Sequence, residues 1–273
     1  MAQPLSWGDA KARFSMPGFA AVRDPLEELN SAMWPSRAVL NQIADQRSLK
    51  NFRGIPLKFI APDGDETIPL HYETRIAETG EILTRENWHD FFNVLQWLSF
   101  PQAKAAISEM HSRLLAMHVG EVKTRSIPRD VLTLFDEGGV IVASSDNTLL
   151  DLIRHFQWRT LFVERREEVM RNMHFYLVGH SLLEKMLDPF IGITAKALLV
   201  LVDGKFHTLA KPAQIVALDT MAREWLMNTG NLTSTRNLQP LPILGIPNWD
   251  ARNASPAFYD DTHYFRSGRT KKL

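Results

Sequence analysis

The chain has 273 residues, and its 31 Lys and Arg residues balance its 31 Asp and Glu residues, so the formal net charge is zero with His neutral. The absence of cysteine excludes disulfides, thiolate metal ligands and a cysteine nucleophile. Balanced charge disfavours nucleic acid as a partner, because nucleic-acid-binding domains usually carry a basic surface. No apolar run approaches the roughly 20 residues of a membrane helix. We therefore expect a soluble cytoplasmic protein with no membrane partner.

The first part of the chain is expected to be irregular and then to become an α+β domain. Prolines and glycines in residues 1–24 predict an N-terminal arm, and the apolar spacing that begins at Leu26 opens the main domain, residues 25–235. Apolar and polar residues alternate in LHYETRI, residues 70–76, which predicts a strand. Its polar face would carry His71, Glu73 and Arg75, and EILT, residues 81–84, would follow as a second strand.

Two helices are predicted next. Thr84 is the expected N-cap of a helix over about residues 85–99, and Pro101 suits the first turn of a second helix with apolar residues every three or four positions. DVLTLFDEGGVIVAS, residues 130–144, has two β-rich runs on either side of Asp136-Glu137-Gly138-Gly139 and predicts a hairpin that turns at those four residues.

The remaining elements alternate between helix and strand. Asp146 is expected to cap a short helix, residues 158–170 to form a helix, and HFYLV to form a buried strand. Gly179 and His180 would lead from that strand into a helix over SLLEKML, residues 181–187. The Ala and Leu content of residues 194–202 favours a helix, with a hairpin turning at Asp203-Gly204 as the alternative. A long helix is predicted over residues 213–227.

Repeated prolines in residues 236–273 predict an extended C-terminal strap that ends in a basic tail and packs on the same domain. The expected fold class is therefore α+β: a helix-rich single domain with a small, mainly antiparallel sheet. A doubly wound sheet is not expected, because the sequence lacks the regular βαβ alternation that such a sheet requires.

Four polar clusters on these elements are candidates for chemistry. His89 and Asn93 are one helical turn apart, so His89 would act as a general base while Asn93 orients a substrate. Glu73 lies between possible cations and, with Arg75, would form a site wall. The alternative is that both clusters are ordinary polar surface.

Cationic groups suggest an anionic ligand. Lys104 and His111 lie on one stripe of the second helix with Ser108 and His118, and such a stripe can hold an anionic group. Its alternative is a solvated helix face. His180 follows Gly179 at a helix start, where a base or an anion contact is expected.

The sequence does not decide whether the protein binds a metal ion or a cofactor. His180 and Glu184 have the i, i+4 spacing of two ligands, but no third ligand is identified. Phosphate-binding loops, dinucleotide fingerprints, nucleophile elbows and EF-hand loops are absent from the sequence.

Three runs resemble a known bacterial family: YETRIAETGEILTRENWHDFFNVLQWLSFPQAKAAISEMH, GHSLLEKMLDPFIGITAKAL and PLPILGIPNWDARNASPAFYDDTHYFR. The family is domain of unknown function 3025, and the resemblance extends over about residues 20–268. It implies a single bacterial domain and brings no known activity, so no functional residue carries over from it. Ser108 and Asn248 stand where the family pattern has Asn and Gly, which weakens any role for those two side chains.

Two functions follow from the residues. The first is a polar small-ligand site for an anionic metabolite, as a hydrolase or group transferase, with His89, Asn93, Glu73 and His180 as catalytic residues. Arg75, Lys104 and His111 would bind the ligand. The second is a non-catalytic protein-interaction module with an unknown partner, and whether the protein is an enzyme is undecided. Convergence of the clusters in one concave pocket would favour the first.

Overall fold

The computed structural model of the protein describes residues 5–29, 32–62, 72–117 and 126–268. Its α-helices are α1 (Trp7–Lys11), α2 (Arg23–Glu28), α3 (Arg37–Gln46), α4 (Tyr72–Thr79), α5 (Trp88–Ser99), α6 (Pro101–Met117), α7 (Ile127–Gly138), α8 (Asn147–Arg154), α9 (Arg166–Asn172), α10 (His180–Lys185) and α11 (Lys211–Met227). Its strands are β1 (Lys58–Ile60), β2 (Glu81–Leu83), β3 (Gly139–Ser144), β4 (Met173–Leu177), β5 (Thr194–Leu201) and β6 (Gln239–Pro242).

A four-stranded sheet lies at the centre, with strand order β4-β3-β5-β6. Strand β3 pairs antiparallel with β4 and parallel with β5, and β5 pairs antiparallel with β6. Every residue of β3 is buried, as expected for a strand covered on both faces. A second, two-stranded sheet joins β1 and β2 in parallel. The helix-rich α+β fold is thus confirmed, with mixed rather than uniformly antiparallel pairing.

Helices cover both faces of the larger sheet. Successive β3 side chains point to opposite faces, and each set packs against different helices. Val140 and Val142 pack into one apolar cluster with residues of α5, α8 and α10. Ile141 and Ala143 pack into a second cluster with residues of α6, α7 and α11. The two clusters lock the helices to the sheet and so fix where the polar ends of those helices meet.

Helices α5 and α6 meet at a sharp break. The Asn87 side chain caps α5 by accepting the Asp90 backbone N–H at 2.8 Å, so the predicted cap at Thr84 is wrong. Pro101 begins α6, as predicted, and cannot donate a backbone hydrogen bond there. The buried Asp219 carboxylate of α11 caps α6 by accepting the backbone N–H groups of Gln102 and Ala103, at 3.0 and 2.8 Å.

The N-terminal residues are helical turns rather than an irregular arm. Besides α1, residues Ala12–Ser15 and Pro17–Val22 form 3₁₀ turns, and Phe19 is fully buried. The Trp7 ring stacks on Trp88, with centroids 5.6 Å apart and planes at 4°. The Trp88 indole also donates to the Leu5 carbonyl at 2.9 Å. The start of α5 is therefore covered by the N-terminal segment.

Several predicted elements are confirmed. Helices α5 and α6, the Asp146-capped helix α8, strand β4, helix α10 after Gly179 and the long helix α11 lie where the sequence placed them. The helix predicted at 158–170 is a π-helical turn at Thr160–Glu164 followed by α9.

Three predicted elements are wrong. The strand at 70–76 is helix α4 from Tyr72, where Ile76 and Ala77 are buried; His71 lies outside the described residues. The hairpin at 130–144 is helix α7 followed directly by β3, because the Gly138-Gly139 pair ends a helix instead of turning a hairpin.

The helix predicted at 194–202 is strand β5, which lies between two strands, so tertiary pairing outweighs the helical propensity of Ala and Leu. The alternative hairpin at Asp203-Gly204 is also wrong, because a 3₁₀ turn starts at Gly204.

The C-terminal segment is more structured than an extended strap. It contains β6 and 3₁₀ turns at Ile243–Gly245, Ala251–Ala254 and Pro256–Asp260, so the strap is not confirmed. Tyr259 and Tyr264 are buried, and the Tyr264 hydroxyl donates to the Ile193 carbonyl at 2.8 Å. The basic tail beyond residue 268 lies outside the described residues.

Candidate functional site

Helices α4, α5, α6, α7 and α10 line a partly open cavity of about 700 Å³. Polar and ionisable side chains form most of its wall. The lining residues are Pro62, Tyr72, Glu73, Leu83, Arg85, His89, Asp90, Asn93, His111, Arg129, Thr133, Asp136, Glu137 and His180.

Two glycines allow the chain to cross itself beside this cavity. A Cβ on Gly179 would lie 2.5 Å from both the Glu137 carbonyl oxygen and the Gly139 nitrogen. A Cβ on Gly139 would lie 2.3 Å from the Phe135 carbonyl oxygen. Only glycine permits such contacts without displacing backbone. The crossing places His180, the first residue of α10, next to the acidic end of α7.

A histidine pair lies at this crossing. His89 Nε2 and His180 Nε2 are 3.2 Å apart, and His180 Nε2 lies 3.5 Å from Glu137 Oε2. The Ser181 hydroxyl donates a short hydrogen bond to Glu137 and lies 3.2 Å from His89 Nδ1. Three side chains from α5, α7 and α10 thus present nitrogen or oxygen atoms to one small volume.

A buried ion pair between Lys104 and Asp136 lies next to His180. Lys104, 3% exposed, donates a short hydrogen bond to Asp136, which lies 3.8 Å from His180 Nδ1. Burial alone would raise the pKa of Asp136, but Lys104, His180 and His111 hold that pKa below its ordinary value. Burial also lowers the pKa of His180, against the opposing effect of Asp136. Asp136 is therefore a carboxylate, and burial favours a neutral His180.

The Glu73 carboxyl has a raised pKa, unlike the paired carboxyls of Asp90 and Asp136. Burial, with repulsion from Asp136, raises the pKa of Glu73 to about 7, although Lys104, Ser108 and Arg129 partly offset the rise. Beside it, Asn93 donates a hydrogen bond to the Tyr72 hydroxyl at 2.8 Å. Burial raises the pKa of that hydroxyl well above its ordinary value. Glu73 is thus poised to gain or lose a proton near neutral pH.

Two arginines of the wall differ in their engagement. Arg85 forms a bidentate ion pair with Asp90, in which Nε donates to Oδ2 at 2.9 Å and Nη2 donates to Oδ1 at 3.0 Å. Arg129 is partly buried, and its Nε has no hydrogen-bond partner among the described residues. A buried guanidinium N–H without a partner is costly, and an anionic group in the cavity would satisfy it.

The structure brings together most of the predicted site residues. Glu73, His89, Asn93, His111 and His180 line the cavity. Lys104 does not line the cavity, but it forms an ion pair with Asp136, which does.

Arg75 is not part of the site, because it lies outside the lining and binds Glu81 at 3.1 Å. Residues 73 and 75 share a face in a strand but are about 200° apart on a helix, so the wrong strand prediction grouped Arg75 with Glu73.

Asp136 and Glu137 are the main residues that the sequence did not reveal. Both were assigned to the turn of the predicted hairpin, where acidic residues are ordinary. The missed signal is the spacing of Val131, Leu132 and Phe135, which are buried on one face of α7. With α7 read as a helix, the acidic pair falls at its last turn, next to the buried strand.

Fold and site together define an α+β protein with a polar, partly open cavity lined mainly by helices. Residues 57–269 match the family model described as "Protein of unknown function (DUF3025)", and the chain belongs to that family. The resemblance expected from the three sequence runs is thereby confirmed.

Two further comparisons gave no match. No curated protein and no solved structure matches the chain. Within the described ranges, no helix has both the length and the apolar character needed to cross a bilayer.

Proposed function

We propose that this protein binds an anionic small molecule in the cavity between α4, α5, α6, α7 and α10 and acts on it as a hydrolase or group transferase. The observation that carries the proposal is convergence. Glu73, His89, His111 and His180 come from four separate helices and line one cavity. A concave cavity lined by several buried or half-buried ionisable groups is typical of a ligand or active site.

One cationic group of the wall, Arg129, supports an anionic ligand, although the wall also carries the Glu73 and Glu137 carboxyls. Asp90 and Asp136 are already paired, with Arg85 and Lys104, so neither needs a cation from a ligand. Arg129 lines the same cavity with an unpaired Nε among the described residues. A carboxylate or phosphate would accept hydrogen bonds from its planar guanidinium group.

Glu73 is the side chain best placed to transfer a proton to or from the ligand. It lines the cavity together with Arg129, so a ligand held by the arginine would lie within reach of the carboxyl. Its pKa of about 7 suits general acid–base catalysis at neutral pH. His89, Asn93 and His180 line the same cavity and complete the predicted catalytic set.

The alternative, a non-catalytic interaction module, is less well supported, because it predicts polar clusters dispersed over the surface. A bacterial source and a cytoplasmic location stay predictions.

A thermal-shift screen of the purified protein tests the proposal, with inorganic phosphate, sugar phosphates, nucleotides and carboxylates in the panel. A ligand at 100 times its Kd adds roughly 2.7 kcal/mol to the unfolding free energy, which raises Tm by about 5 °C or more. The shift should disappear in Arg129→Gln and persist in Arg171→Gln, an exposed arginine on α9. An equal shift in both variants would contradict the assigned site, and a flat panel would favour the interaction module.

A further inference from the structure

We infer that His89, His180 and Glu137 form a binding site for one divalent transition-metal ion in the wall of the cavity. The three residues come from α5, α10 and α7. One nitrogen or oxygen from each lies within 4.8 Å of the other two. The sequence offered only His180 and Glu184 as a possible pair, and the fold supplies the missing ligands.

The distances between the ligand atoms suit a bound ion. His89 Nε2 and His180 Nε2 are 3.2 Å apart, and His180 Nε2 and Glu137 Oε2 are 3.5 Å apart. Ligand atoms at about 2.0–2.2 Å from a tetrahedral ion are themselves separated by about 3.3–3.5 Å. Two of the three separations therefore already match a bound ion, and binding requires that the ligand atoms of His89 and Glu137, which lie within 4.8 Å, reach the same separation.

The other ring nitrogens support the same assignment. His180 Nδ1 is buried and lies 3.8 Å from Asp136 Oδ2. His89 Nδ1 lies 3.5 Å from Glu184 Oε2 and 3.2 Å from the Ser181 hydroxyl. In metal sites the nitrogen that does not bind the ion usually faces a carboxylate, which orients the ring and increases its basicity. Here both histidines turn Nε2 inward and Nδ1 toward an acid.

The donor set indicates the kind of ion. Two imidazoles and one carboxylate suit Zn²⁺, Fe²⁺, Co²⁺ or Ni²⁺, whereas Ca²⁺ and Mg²⁺ prefer oxygen ligands throughout. Three protein ligands leave a coordination position open, as in catalytic rather than structural sites. All three ligands line the cavity, so that position is accessible to a small molecule.

The charge of the site would then favour the proposed ligand. Two neutral histidines and one carboxylate leave a divalent ion with one net positive charge, which attracts an anion. The use of the ion in catalysis rests on the proposed function. Binding of the ion rests on the geometry of the three side chains alone and is measured separately.

Isothermal titration calorimetry with Zn²⁺ and with Co²⁺ tests the inference on the full-length protein after dialysis against a chelator. We expect one equivalent bound, and elemental analysis of the dialysed complex should give the same stoichiometry. His180→Asn and Glu137→Gln should each weaken binding by about 100-fold or more, and Glu184→Gln by about 10-fold, since it only orients His89. The exposed His155→Gln is the matched control and should bind like wild type.

Near-UV circular dichroism and urea denaturation of each variant separate lost binding from lost folding. If His180→Asn is unfolded, Glu137→Gln and His89→Gln carry the test. Absence of stoichiometric binding to the folded wild type would overturn the inference, as would equal affinity in the folded ligand variants and in His155→Gln. Because Arg129→Gln should retain the ion while losing the anion, failure of the metal site and failure of the proposed function give different results.

Discussion

Replacing Glu73 by Gln should make the protein more stable at alkaline pH. Glu73 is a cavity carboxyl whose burial raises its pKa from the ordinary 4.5 to about 7. The charged groups around it are Asp136, which repels the carboxylate, and Lys104 and Arg129, which attract it. The substitution keeps the shape of the side chain and removes only its ionisation.

The sign follows from proton linkage. Because the folded-state pKa exceeds the unfolded one, the native protein holds an extra proton between pH 4.5 and about 7, and stability falls as pH rises through that window. At about 1.4 kcal/mol per pH unit, the rise corresponds to about 3 kcal/mol. The cavity admits some solvent to Glu73, so we expect wild type to lose about 2 to 3 kcal/mol relative to Glu73→Gln between pH 5 and pH 8.5.

Equilibrium urea denaturation of the metal-free protein, followed by tryptophan fluorescence, measures this difference. Urea is uncharged and leaves electrostatic interactions unscreened. The measured quantity is the unfolding free energy of wild type minus that of the variant at each pH, so a constant effect of the substitution cancels from the slope. Glu167→Gln, on the exposed face of α9, is the control and should follow wild type. Parallel curves for wild type and Glu73→Gln would refute a buried, protonated carboxyl.

Two further predictions concern the chain around the site. Gly179→Ala places a Cβ 2.5 Å from the Glu137 carbonyl oxygen, so it should lower the unfolding free energy by about 3 kcal/mol, whereas Gly204→Ala meets no atom within 4 Å and should change it little. A thermal melt of both variants checks this, and equal stability would show that the crossing can relax. Asp219→Ala leaves the two buried N–H groups at the start of α6 without their acceptor and should cost about 1–3 kcal/mol in urea denaturation. A loss under about 0.5 kcal/mol would mean that water replaces the carboxylate.

The sequence predicted the segments whose local signals agree with their surroundings. Asp146 caps α8 and Pro101 opens α6 through contacts within a few residues, and both predictions are confirmed. Strand β5 could not be recognised in this way. Its Ala and Leu residues favour a helix locally, and only pairing with β3 and β6, distant in the chain, makes the strand.

The candidate site was likewise predictable only where its residues are close in sequence. His89 and Asn93 were found because one turn of a helix separates them, and both line the cavity. Asp136 and Glu137 were missed because their role depends on the crossing at Gly179, which no local pattern encodes. The buried position of Lys104 likewise follows from Asp136, its partner across two helices. Residue type and spacing suggested candidates, but the meeting of distant elements decided which of them form a site.

The aromatic contact between Trp7 and Trp88 joins residues outside the family match to the helix that carries His89. The match begins at residue 57, whereas the rings that cover Trp88 belong to Trp7 and Trp34, at centroid distances of 5.6 and 4.7 Å. Trp88 is the first residue of α5 and precedes His89. A chain trimmed to the matched residues would keep every cavity side chain named above, yet it would expose an indole beside the histidine pair. The described residues of the N-terminal segment thus cover the start of α5, although none of them lines the cavity.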